Sequence, residues 1–154
     1  MSNNYPIVFT LKRMIAGNGF LVGVIAKGRA LLVEEDDGFW INGVNPGSVA
    51  AGGKDREGAF QAFRDGYVSV LYDIAKDAPT FEAFDAEVKA FFAATNEPTA
   101  IEWTEAVARV RAGEINLPIE RAEADAPPEI HVSEIKQPTP QENTSLDDTF
   151  AEAA

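Results

Sequence analysis

The feature that most constrains this chain is a run of large apolar residues between positions 60 and 74. Phe60, Phe63, Tyr67, Val70, Leu71 and Ile74 recur at steps of three and four. A helix gathers such residues into one stripe, and a stripe of this length has to be buried against something broad. A Gly-rich connection, "GVNPGSVAAGGKDREGA" at residues 43–59, leads into it. Asn45-Pro46-Gly47 has turn chemistry, with Pro46 fixing φ and Gly47 tolerating positive φ. Gly52 and Gly53 read as a second break, and Asp55 as the helix cap, with Glu57 in the first turn. Gly66 lies inside the helix, where glycine costs about 1 kcal/mol against alanine, and reads as a mark of close helix–sheet packing.

The broad surface is supplied upstream. In "PIVFTLKRM", residues 6–14, Ile7, Phe9 and Leu11 alternate with Val8 and Thr10 as a strand requires. Asn18-Gly19 is a hairpin signal, residues 20–28, with Val22, Val24 and Ile25, read as a strand, and Lys27-Gly28-Arg29 reads as a further turn. Asp36-Asp37-Gly38 between "RALLVEE" and "FWINGV" predicts another hairpin. The first half is therefore an antiparallel meander of about four strands.

Downstream, Thr80 follows Pro79 as a cap, and Phe81, Phe84, Val88, Phe91 and Phe92 form a second helical stripe. A third helix opens at Asn96 with Pro98 in its first turn, carries Trp103, Val107 and Val110 on one face, and stops at Gly113. The Phe-rich surface of residues 81–110 exceeds what a small sheet needs, which suggests an oligomer or a partner groove. Beyond residue 113 the periodicity ends in Pro-, Glu- and Ser/Thr-rich sequence, a composition of disorder. Within it "EIHVSEIK", residues 129–136, alternates like a strand that could join a sheet edge. The expected fold class is α+β: an antiparallel three- to four-stranded sheet with one long helix packed on it. A C-terminal two-helix extension and a disordered tail complete it. The corresponding boundaries are 1–78, 79–113 and 114–154.

Charge and composition restrict function. The net charge is −12, and it is uneven. Residues 1–113 carry 11 Lys and Arg against 15 Asp and Glu, whereas residues 114–154 carry 2 against 10. No basic cluster offers phosphates a counterion-releasing surface, so direct nucleic-acid binding is disfavoured and a basic protein is the natural partner. The absence of cysteine removes disulfides and thiol chemistry, and the one histidine, His131, lies in the polar tail. No apolar run spans a membrane, and "MSNNYPIVF" lacks the flanks of a signal peptide, so the expected location is cytoplasmic.

The segment "FWINGVNPGSVAAGGKDREGAFQAF", placed between strands and a long helix, resembles the HicB family of antitoxins over residues 20–78. Pro46-Gly47 matches that family's Pro-Gly, Ser48-Val49-Ala50-Ala51 its short small-residue strand, and Asp55 its cap. Glu57-Gly58-Ala59 matches the helix opening, with Gly58 where the family has a second Glu. The resemblance implies a trimmed RNase H-like fold, a three- or four-stranded antiparallel sheet crossed by one main helix. It also implies a non-catalytic protein that binds and masks a basic RNA-cleaving toxin. Nothing after residue 78 reads as the operator-binding module that many relatives carry.

Each candidate site has a simpler role open to it. Gly17, Gly19 and Gly23 precede a β-rich run rather than a helix, so they are hairpin glycines and not a dinucleotide fingerprint. Residues 43–53 lack the Lys-Ser/Thr of a phosphate loop, so Pro46, Gly47, Gly52, Gly53 and Asp55 are turn and cap residues. Glu34, Glu35, Asp36 and Asp37 are consecutive at a hairpin tip, where alternation lets at most two converge; no metal or cofactor is expected. These four acids, with Trp40 and the tail's Phe150, are the candidate partner-binding residues. No catalytic set emerges. The alternative reading is a phage-type accessory protein that binds single-stranded nucleic acid and recruits partners through its acidic tail. A nuclease using Glu34 to Asp37 and a metal is a third.

Overall fold

The computed structural model describes residues 3–115 and 126–136. Five strands and three helices follow in the order β1 (Asn3–Ala16), β2 (Leu21–Glu35), β3 (Gly38–Asn45), β4 (Ala50–Gly53), α1 (Arg56–Asp77), α2 (Phe81–Ala93), α3 (Glu97–Arg111) and β5 (Glu129–Glu134). The sheet is antiparallel, in the order β1-β2-β3-β4, with β5 also paired to β2. An α+β class with an antiparallel sheet is thus what the residues form.

β2 organises the sheet. β1 pairs along nearly all of it, from Asn3 opposite Glu34 to Ala16 opposite Leu21. That leaves one edge of β2 for two partners end to end: β5 opposite Val22–Lys27 and β3 opposite Arg29–Glu35. The turn expected at Lys27-Gly28-Arg29 is absent, because Gly28 instead lets other chain segments approach. A side chain there would meet the Asn45 carbonyl at 2.2 Å and the Phe9 ring at 2.6 Å. The irregularity falls on the ladder, which slips between Arg29 and Ala30.

Strand alternation gives the sheet two faces. One carries Ile7, Phe9, Leu11 and Ile15 of β1, Val22, Val24, Ala26, Ala30 and Leu32 of β2, and Ile41 of β3. α1 lies over it with Phe63, Tyr67, Val68 and Leu71, and α2 adds Phe84, Val88 and Phe92. α3 covers part of the opposite face, where Trp103, Ala106 and Val107 pack on Leu31 and Val44. The helices expected as an extension therefore pack on both faces of the sheet. Their apolar surface is used there: Phe84 is fully buried, and Phe81 and Phe91 lean on the same core.

The helix ends match their sequence signals. Asp55 Oδ1 accepts from Gly58 N–H at 2.7 Å, Thr80 Oγ1 from Ala83 N–H at 3.2 Å, and Asn96 Oδ1 from Thr99 N–H at 3.3 Å. Asn18, in the β1–β2 turn, donates to the carbonyls of Lys76 and Ala78 and so holds the C-terminal end of α1. Gly66 does not mark a close approach. A Cβ there would meet Val49 Cγ1 at 3.7 Å, an ordinary contact. Gly66→Ala is therefore expected to stabilise the fold by about 0.5–1 kcal/mol, read from urea unfolding.

One polar group in the core stands out. Tyr67 is 1% exposed, and its hydroxyl has no hydrogen-bond partner among the described residues. Burial pushes its ionisation well above the ordinary tyrosine range, so the phenol stays protonated.

The strand reading of "EIHVSEIK" holds for β5, which was otherwise expected within a disordered tail. Ile130 and Val132 are partly buried against the main core, which is the physical reason the segment settles on β2. Lys27 reaches Glu129 at 3.4 Å beside it.

Candidate partner-binding site

The site begins at the β2–β3 hairpin. Asp36 and Asp37 form a two-residue turn and are exposed, as is Glu35. Alternation separates the run. Glu34 turns to the side of Phe39 and accepts from Asn3 Nδ2 at 3.1 Å, with the Tyr5 hydroxyl 3.5 Å away. Glu35, Asp36 and Asp37 face water with no cation within ion-pair distance among the described residues. Three unneutralised carboxylates in succession make this tip a concentrated negative surface.

Trp40 completes it. Opposite Val33 on β2 and Gly52 on β4, it remains 48% exposed. The expectation that Gly52 and Gly53 break the chain is corrected here, since both belong to β4. Their small size serves packing. A Cβ on Gly52 would press on the Trp40 ring at 3.0 Å, and one on Gly53 would meet the Ala59 amide of α1 at 2.5 Å. The indole therefore lies across the bare backbone of β4, with its outer surface open beside the acids.

The two tryptophans divide. Trp103 is 4% exposed, donates from Nε1 to the Ile7 carbonyl at 3.2 Å, and lies under the Arg29 guanidinium at 4.4 Å. It is a core residue, and Trp40 a surface one.

The connection at residues 43–53 turns the corner and also fastens the α2–α3 junction. The Asn45–Pro46 peptide is cis. Asn45, a buried polar residue, donates from Nδ2 to the Phe92 carbonyl at 3.0 Å and to Thr95 Oγ1 at 2.8 Å. The Gly47 amide donates to the Ala94 carbonyl at 2.9 Å, and the Asn96 amide to the Val44 carbonyl at 3.2 Å. These contacts commit Pro46 and Gly47 to structure. Phe150 lies outside the described residues.

Sequence reasoning missed a cluster beside the tip. Arg56, the first residue of α1, stacks at 5.0 Å over Tyr5 and 5.7 Å over Phe39. An arginine at a helix N-terminus opposes the helix dipole, and that misfit was the signal available. Among the described residues no three His, Asp or Glu side chains converge as a metal site, and no helix is long and apolar enough to cross a membrane. No family model matches the chain, and neither a curated protein nor a solved structure matches it.

Proposed function

We propose that the chain is a non-catalytic, HicB-like binding module that masks a basic, RNA-cleaving protein, with the acidic tip and Trp40 at the contact. The observation that carries this reading is the juxtaposition of Glu35, Asp36 and Asp37, all without an ion pair among the described residues, with a half-exposed indole. Such a surface suits Lys and Arg side chains, which gain Coulomb attraction from the acids and a cation–π contact from Trp40. The order β2-β3-β4-α1, with α1 across one sheet face, agrees with what the resemblance implies. A cytoplasmic location and self-association belong to the same reading.

The test is retention of a basic, RNA-cleaving protein by the tagged full chain in extracts of its own cells. Trp40→Ala, and separately the triple change Glu35→Gln, Asp36→Asn, Asp37→Asn, should weaken retention about tenfold or more, with added salt acting in the same direction. All four side chains are exposed, so the melting temperature should hold. Retention unaffected by either variant, or of no such protein, would count against the reading.

A further inference from the structure

A hollow beside the tip carries chemistry of the opposite sign. It measures about 420 Å³ and is lined by Asn3, Asn4, Tyr5, Arg56, Arg109 and Glu114, among others. Two guanidinium groups thus share one concavity, and neither makes an ion pair among the described residues. Arg13 and Arg64 are likewise without an ion pair among the described residues, so what distinguishes Arg56 and Arg109 is that they line one hollow together. Glu114, the carboxylate in the lining, bridges to neither. Glu34, next to the hollow, is already engaged by Asn3 and Tyr5.

Arg56 is the most informative residue. At the start of a helix of 22 residues its charge meets the positive end of the macrodipole. The Tyr5 and Phe39 rings hold the guanidinium there by cation–π contact, in the lining of the hollow. Arg109 comes from the last turn of α3 and lines the same hollow. A fixed fork, a second guanidinium and the Asn4 amide give many donors in one place.

The geometry assigns this hollow to an oxyanion, of the phosphate monoester class. A planar carboxylate offers two oxygens to such a donor set, whereas a phosphate offers three terminal oxygens and nearly two charges. Binding it neutralises both arginines and removes the conflict between Arg56 and the helix dipole. The assignment is independent of the acidic tip and of any protein partner.

The test uses the full chain, labelled with nitrogen-15, titrated at constant ionic strength with inorganic phosphate, acetate, and a short thymidine oligonucleotide lacking terminal phosphates. Phosphate should shift the resonances of Asn3, Asn4, Tyr5, Arg56 and Arg109 saturably, and acetate should do so much more weakly. Arg56→Gln and Arg109→Gln should each weaken phosphate binding about tenfold, the size of one charge-assisted hydrogen bond. Both side chains are exposed, so the folded spectrum should persist as the control. Equal responses to phosphate and acetate, or unchanged phosphate affinity in Arg56→Gln, would overturn the assignment. Saturation by the oligonucleotide alone would also overturn it, in favour of a nucleic-acid strand.

Discussion

Trp103→Ala is expected to lower the unfolding free energy by about 3–5 kcal/mol, the usual cost of emptying a buried aromatic site. Trp103 is the large residue of the smaller core, with Leu31, Val44, Ala106 and Val107 around it. Its loss opens a cavity, removes the ring beneath Arg29, and takes away the N–H that the Ile7 carbonyl accepts. α3 is held to the sheet through this cluster, so its anchoring should fail with it. Trp103→Phe keeps an aromatic ring and should lose roughly 1–2 kcal/mol, reflecting the smaller volume and the missing hydrogen bond. Ile101→Ala, in the same helix but 61% exposed, should stay within about 0.5 kcal/mol of the parent. Urea unfolding followed by circular dichroism reads all three. Similar losses for Trp103→Ala and Ile101→Ala would mean that α3 is not held by this cluster.

Gly47→Ala is the second large effect, about 1–3 kcal/mol of destabilisation from one methyl group. The new Cβ would lie 2.4 Å from the Asn96 amide nitrogen, 2.8 Å from the Ala94 carbonyl oxygen and 2.9 Å from the Thr95 carbonyl carbon. All three are backbone atoms, and the Asn45 and Gly47 hydrogen bonds hold that backbone in place. The junction must move away, straining those bonds. The contrast with Gly66→Ala is diagnostic, because the same chemical change should have opposite signs at the two sites. Thermal unfolding of the pair checks it, and a neutral Gly47→Ala would show that the corner is not tightly fastened to the α2–α3 junction.

Local chemistry made much of this fold legible. The alternation of Ile7, Phe9 and Leu11, the hairpin turn at Asp36-Asp37 and the caps at Asp55, Thr80 and Asn96 each depend on neighbours in sequence. Gly28 misled because glycine signals a turn and a close approach equally well. Which one applied depended on Asn45 and Phe9, both distant in the chain. Gly52 and Gly53 misled in the same way, since strand pairing under Trp40 leaves no local mark. The placement of α2 and α3 on opposite faces was hidden for a related reason: apolar stripes show that a helix is buried, but not against which surface. At the candidate site, the acidic run was plain in the sequence, whereas the different fates of Trp40 and Trp103 were not. The meeting of Arg56 with Arg109 required the fold, because they lie on different helices that only the sheet brings together.

On the proposed reading, this chain silences a basic, RNA-cleaving partner by covering it. The most direct measurement is RNA cleavage by the retained partner, purified and then titrated with the full chain. Cleavage should fall to background at equimolar addition, and the Trp40→Ala chain should require a large excess to do the same. Undiminished cleavage in a complex that demonstrably forms would contradict the masking role and leave the chain as a binder of some other purpose.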